Sequence, residues 1–341
     1  MKSLIIGCLF SLTILPSSNA VSQPYSLLPC EVEVKSSFRG LSVVDDSIVW
    51  VSGSNGWMGR STNGARSFAF KQVPGYEKFD FRSLFAFDSQ RAIIANAGSP
   101  AHILQTTDGG QTWNSVYQND HPDAFFDGID FWNEREGMIY GDPIGGRMLL
   151  LITKDGGNTW NVLPESKRPL LKDGEASFAA SGTGIRCYNK STVIISTGGK
   201  TSRLLISNNA ASWKILTPAI IQGESSTGIF SVAFRDKKNG IVVGGDFQKD
   251  SLRLNHVLFT KDAGKTWTQP ITPTRGYREC VEYISKEVLI ATGPTGTDIS
   301  LNEGKDWQSL SDEKGFHVVR KSRKGKLVVV AGGGKISRLK Y

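Results

Sequence analysis

The sequence predicts an all-β chain folded as a seven-bladed β-propeller, and three observations predict it. The octapeptide "TTDGGQTW" at 106–113 returns as "TKDGGNTW" at 153–160 and "TKDAGKTW" at 260–267. Weaker copies, "STNGARSF" at 61–68, "SNNAASW" at 207–213 and "SLNEGKDW" at 300–307, bring the count to six, with aromatic ends roughly 40 to 54 residues apart. That is the period of a four-stranded propeller blade. Strand-like runs and glycine-rich turns recur with the same period, and each series independently counts seven.

The first twenty residues read as a secretory signal: Lys2 supplies positive charge, Leu4 to Leu15 an apolar run and Ser18-Asn19-Ala20 a small-residue cleavage site. Cleavage at the lipobox-like Ile5-Ile6-Gly7-Cys8 would leave an apolar core of only a few residues, so lipid attachment at Cys8 is not expected. Residues 21–341 are then read as one propeller domain. The segment "YSLLPCEVEVKS" at 25–36 precedes the first blade and serves as the strand that completes the last one, closing the ring so that no sheet edge remains.

Within each octapeptide every position has a mechanical task. Asp108, Asp155 and Asp262 accept hydrogen bonds from backbone amides of their own turn, a glycine takes the positive φ that closes it, and Trp113, Trp160 and Trp267 return a large ring to the packing between blades. Nothing in the motif is a nucleophile, acid or base. Ahead of the copies lie the inner strands: "FRGLSVV" from Phe38, "FRSLFAF" from Phe81, "FDGIDFW" from Phe126, "TGIRCY" from Thr183, "FSVAF" from Phe230, "YRECVEY" from Tyr277, and finally "FHVVR" from Phe316. The second strands end in "SGSNG", "NAGSP", "GDPIGG", "TGGK", "GGDF", "TGPTG" and "AGGGK".

Composition excludes several classes. No apolar run long enough to span a membrane follows the signal. Loss of Lys2 lowers the formal net charge from +8 to about +7, which favours acidic partners electrostatically. A secretory chain without a recognition fold is not expected to meet nucleic acid, and the basic stretch "RKSRKGK" at 320–326 reads as a solvated hairpin. Cys30, Cys187 and Cys280 remain in the mature chain, an odd number with no CxxC spacing, so zinc is not expected and at most one disulfide can form. His102, His121, His256 and His317 are dispersed, and Gly182-Thr183-Gly184 lacks the third glycine and strand-to-helix setting of a dinucleotide site. No metal or cofactor is expected.

On these octapeptides the chain resembles the Asp-box, or BNR-repeat, propellers, and within them the photosystem II stability/assembly factor-like family with its relatives in non-photosynthetic bacteria. The resemblance covers about residues 25–341 and implies a noncatalytic scaffold that binds other proteins. Nothing in the sequence points to a photosynthetic partner.

Strand order orients the candidate residues. If strands run outward from the channel, the octapeptides join third to fourth strands on one face, and function is expected on the other, among the starts of the inner strands and the glycine turns. There Arg39, Arg82 and Arg278 align near the channel mouth, with Asp127 at the same position, Arg186 further along its strand and His317 opening the seventh. Asp142, Arg147, Glu175, Lys200, Arg203 and Asp246 add polar groups from loops. Two outcomes are open: the arginines pair with nearby carboxylates and shape the channel, or they hold an anionic group of a protein, peptide or glycan, with Asp127 partly neutralising them. The expected protein is a monomeric periplasmic or secreted binding scaffold. The enzymatic alternative is a sialidase-like glycosidase, since Phe38-Arg39 resembles the start of a Phe-Arg-Ile-Pro motif. Gly40-Leu41 departs from that motif, and Glu282 and Tyr283, adjacent on one strand, point to opposite faces.

Overall fold

The computed structural model describes residues 25–341, so the signal sequence expected at 1–20 and Cys8 lie outside the described residues. Seven antiparallel sheets are arranged as blades, each entered by its inner strand. Blade 1 shows the pattern: Phe38–Val43, Val49–Gly53, Trp57–Ser61 and Ala69–Gln72 pair in sequence order. Its first two strands are buried almost throughout, whereas the outermost is largely exposed. A strand packed between neighbouring blades is covered on both faces, and the outer strand is not.

The seventh sheet runs Phe316–Lys321, Val328–Gly332, Lys335–Lys340 and then back to Ser26–Cys30. The N-terminal strand is antiparallel to the C-terminal one, from Ser26 opposite Lys340 to Cys30 opposite Ile336. Leu27, Val32 and Val34 pack on the core shared by blades 1 and 7, and Tyr25 stacks on Tyr341 at 5.8 Å. The ring therefore closes by hydrogen bonding between the two ends of the described chain.

Blades 4 and 5 depart from the repeat. Glu175–Ala176 and Gly198–Gly199 attach to the inner edge of the fifth sheet, so the long connection after blade 3 enters the ring's interior. The outer edge of blade 5 is reduced to the bridge between Phe259 and Thr268.

The octapeptides form the expected turns between third and fourth strands. In the copy at 106–113, Asp108 Oδ1 accepts the amides of Gln111 and Thr112 at 3.0 Å, and the Thr106 hydroxyl accepts that of Gly110 at 2.9 Å. Gly110, Gly157 and Gly264 take φ of 84°, 88° and 77°, a region costly for other residues. Trp160 is buried and meets Phe131 edge-on at 5.9 Å. Trp113 and Trp267, expected to be buried as well, are only partly covered; Trp307 of the weak copy at 300–307 is the other buried one.

These turns make stability acid-sensitive. The Thr112 hydroxyl and amide hold Asp108 below the ordinary carboxylate range, and those of Thr266 hold Asp262 down to about 2. Unfolded aspartates titrate near 3.9. A depressed folded value stabilises above the unfolded one and that contribution is lost as pH falls toward the folded one. The melting temperature should therefore decline between about pH 4 and pH 2, and the decline should be shallower in an Asp108→Asn, Asp262→Asn double variant. Parallel profiles for the two proteins would remove the turns from the acid response.

Candidate functional site

The channel is lined by inner strands that carry a bulge near their start. Phe38 pairs with Gly53 and Gly40 with Ser52, leaving Arg39 unpaired and turned to the axis; Phe126/Gly128 and Phe316/Val318 repeat this around Asp127 and His317. Blade 6 aligns one residue away from the sequence reading. Cys280 pairs with Thr292 as Val318 does with Ala331, so Glu279, not Arg278, occupies the axial position. The second strand explains why: a Cβ at Gly332 or Gly141 would lie 1.9 Å from the carbonyl oxygen of Gly315 or Phe125, and Gly293 makes the matching approach to Tyr277. The mouth thus carries Arg39, Arg82, Asp127, Phe230, Glu279 and His317.

Charges at this mouth are paired. Arg39 donates to Glu279 Oε1 at 3.2 Å and to the Ala180 carbonyl at 2.7 Å. His317 Nδ1 lies 2.6 Å from Glu279 Oε2. Burial pushes the Glu279 carboxyl up, but His317 and Arg39 outweigh it and hold the group below its usual range. Arg82, more exposed than Arg39 at 34% against 18%, donates to Asp80 at 2.7 Å.

Arg278, expected on the channel floor, is instead fully buried and bound to Asp298, the Tyr277 carbonyl and Thr295. It stands where blades 1, 3 and 7 place a phenylalanine, so its chain turns into the blade. Asp127 does not neutralise an arginine cluster either. Its side chain is fully buried, neither oxygen has a hydrogen-bond partner among the described residues, and desolvation with Asp142 nearby pushes its pKa well up.

Arg186 lies at the other end of the channel. Its guanidinium donates to Glu282 at 2.9 Å and to the carbonyls of Val232 and Val281. With Phe85, Asp130, Arg320 and Arg323 these groups surround an axial cavity of about 230 Å³. The stretch at 320–326 is therefore not simply a solvated hairpin: Arg320 is 3.7 Å from Glu282, and Arg323 sits 4.5 Å over the Phe85 ring and donates to Ser42.

The loop candidates divide in the same way. Glu175 and Arg203 form a buried two-pronged ion pair, Nε to Oε1 at 2.8 Å and Nη2 to Oε2 at 2.6 Å, which ties the inserted connection to blade 4. Asp142 accepts the Ser177 amide at 2.9 Å, and Asp246 caps its own turn through the Gln248 amide. These three carboxylates and Arg203 organise loops and are not free to meet a ligand. Lys200 pairs with Asp173 and Arg147 with Glu165 at the surface. Cys30, Cys187 and Cys280 are free thiols, the last buried with its thiol directed at the Val319 carbonyl.

One constellation bears on the glycosidase alternative. The Tyr277 hydroxyl donates to Glu279 Oε1 at 3.3 Å, beside Arg39. A tyrosine nucleophile must reach substrate, yet Tyr277 is 2% exposed and packed edge-on against Phe230 at 4.7 Å. Burial raises its pKa well above the ordinary value, against the phenolate that attack requires. Glu282 and Tyr283 do diverge, Glu282 to Arg186 and Tyr283 to the core between blades 5 and 6.

Sequence reasoning missed an aromatic ridge beside the mouth. Phe178 stacks on Phe230 at 3.8 Å, and Phe247, 49% exposed, meets both rings edge-on at 6.3 Å. Leu252 and Leu254 of the same loop and Leu170 of the neighbouring connection are exposed as well. The signal was the apolar content of "DFQKDSLRL", an unusual loop for a solvated turn.

Fold and channel define a closed seven-bladed propeller whose axial groups are mostly engaged in structural pairs. The chain is similar in fold to YCF48 propellers. Residues 84–171 match the family described as photosynthesis system II assembly factor YCF48. The whole fold is similar to YCF48 bound to a D1 peptide, with a TM-score of 0.62 and 15% identity over 95% of this chain and 99% of that one. It is similar to YCF48 from Cyanidioschyzon merolae at a TM-score of 0.67 and 13% identity, covering 92% and 98%. The U3-55K structure gives 0.65 and 11%, covering 93% and 98%. No curated protein matches the sequence. Identities this low establish a shared architecture. Among the described residues no helix is long and apolar enough to cross a membrane.

Proposed function

We propose that the protein is a monomeric, extracytoplasmic, noncatalytic scaffold that holds a protein partner on the loop face opposite the octapeptide turns. The observation that carries this reading is Phe247, half exposed against the Phe178 and Phe230 rings beside the channel mouth, with Leu252 and Leu254 exposed in the same loop. Solvated loops rarely display large apolar side chains together unless a partner covers them. Lys249 and Arg253 in the same loop, with Arg82 at the mouth, suit a partner that places acidic residues around an apolar contact. The likeness to YCF48, one structure of which holds a D1 peptide, supports a peptide-binding role. The signal-like pattern of residues 1–20, a positive charge, an apolar run and small residues, supports export.

The test is affinity capture from the native envelope with wild type and a Phe247→Ser, Leu254→Ser double variant. Since both side chains are exposed, the variant should keep its melting temperature while losing the specific partner. Removing Arg82 as well should abolish the remaining salt-sensitive retention. Equal capture by folded wild type and folded variants would move the binding surface elsewhere.

A further inference from the structure

A second surface lies on the octapeptide side, between blades 4 and 5. In blades 1 and 2, long side chains on the second and third strands fill this interblade space. In blade 1, Trp50 pairs with Arg60, whose guanidinium reaches the Ser89 carbonyl of blade 2 at 2.6 Å. In blade 2, Ile93 pairs with Gln105, whose amide reaches the Gly156 carbonyl of blade 3 at 3.2 Å. Blade 4 has Ile194 opposite Ile206 at this position, which pack on the apolar residues of blade 5 and carry no polar head to bridge to its turn. Beside this pair lies a cavity of about 870 Å³ whose lining includes Ile194, Ile206 and Phe234, with Ala263 of the next octapeptide.

Its rim is basic. Lys190, Lys214 and Lys237 line the opening and are exposed, and none of them has an ion-pair partner among the described residues. Asp236, the carboxylate in the lining, is already taken by Arg235 at 3.3 Å and by the Asn239 amide at 2.8 Å. Arg235 in turn is held by Glu303 of blade 6 at 2.8 Å. The uncompensated charge is thus that of three exposed lysines around an apolar floor.

We propose that this groove binds an acidic peptide segment that inserts one aliphatic or aromatic side chain between flanking carboxylates. The floor matches an apolar anchor, and lysines on long stems can meet carboxylates at either side without fixed geometry. Single-stranded nucleic acid fits less well, because it needs aromatic faces for stacking. Tyr188 and Phe234 meet edge to face at 6.2 Å and 78°, and the Tyr188 hydroxyl is engaged by the Phe234 amide. This inference is independent of the loop-face reading and places a second contact on the opposite side of the ring.

The experiment titrates the full mature chain with a fluorescent hexapeptide of sequence Glu-Asp-Leu-Phe-Asp-Glu at low salt. Against a Lys190→Ala, Lys214→Ala, Lys237→Ala variant, Kd should rise at least about tenfold and lose most of its salt dependence. Filling the floor with Ile206→Gln, which copies the residue blade 2 uses, should remove the advantage of this peptide over one with alanines for Leu-Phe. The Phe247→Ser, Leu254→Ser variant should bind the peptide as wild type does, which separates this site from the loop face. Equal Kd for wild type and the folded lysine variant, or equally tight binding of an oligothymidylate, would overturn the proposal.

Discussion

A chain beginning at Ser37 should fail to form a stable monomer. Removing residues 25–36 takes away the strand from Ser26 to Cys30 and leaves Lys335–Lys340 with an unpaired edge. It also uncovers the core of blades 1 and 7 where Leu27, Val32 and Val34 pack. Half-burying each of these side chains contributes about 1 kcal/mol. Adding the lost ladder hydrogen bonds, the deficit is roughly 5 kcal/mol, comparable with the whole net stability of many domains. The exposed edge would then recruit other chains. Size-exclusion chromatography and thermal melting of the truncated protein decide the point. A monomeric product with the wild-type melting temperature would mean that the ring holds without its closing strand.

Arg203→Met should be the most damaging single substitution among the charged residues once read as loop candidates. Glu175 has no side-chain exposure and receives both prongs of Arg203, with Thr197 and the Lys172 amide satisfying what remains. Removing the cation leaves a buried carboxylate whose charge is no longer balanced, a loss of about 3–5 kcal/mol. An Arg203→Met, Glu175→Met double variant should recover much of it, because the cost lies in the unpaired charge more than in the lost contact. Chemical denaturation of the three proteins measures both effects. A single variant as stable as wild type would show that Glu175 finds solvent or another donor.

The outcome for Arg203 illustrates what residue type alone leaves open. A loop arginine and a loop glutamate are individually consistent with ligand binding, and only the fold shows that residues 28 positions apart are locked together. Arg82 kept the exposure expected at the mouth, whereas Arg278 lost it through a shift of one residue in strand alignment. The aromatic-arginine pair at Tyr277-Arg278 imitates Phe38-Arg39 in sequence, but the bulge in blade 6 falls at Glu279. Alternation along a strand is so short in period that one residue exchanges the channel for the blade interior.

The sequence by itself determined the architecture: the number of blades, the octapeptide turns and the closing strand at 25–36. Each is a local or periodic property, carried by a turn that only certain residues can make and by a repeat length that one blade fills. The tertiary structure decided where the charges went. Arg39 with Glu279 and His317, Arg186 with Glu282 and Arg203 with Glu175 join different blades or distant connections. It also decided where the ring is incompletely filled, at the groove beside Ile194 and Ile206 between blades 4 and 5. Ion pairing and void volume are properties of separations in space, and a one-dimensional pattern does not encode them.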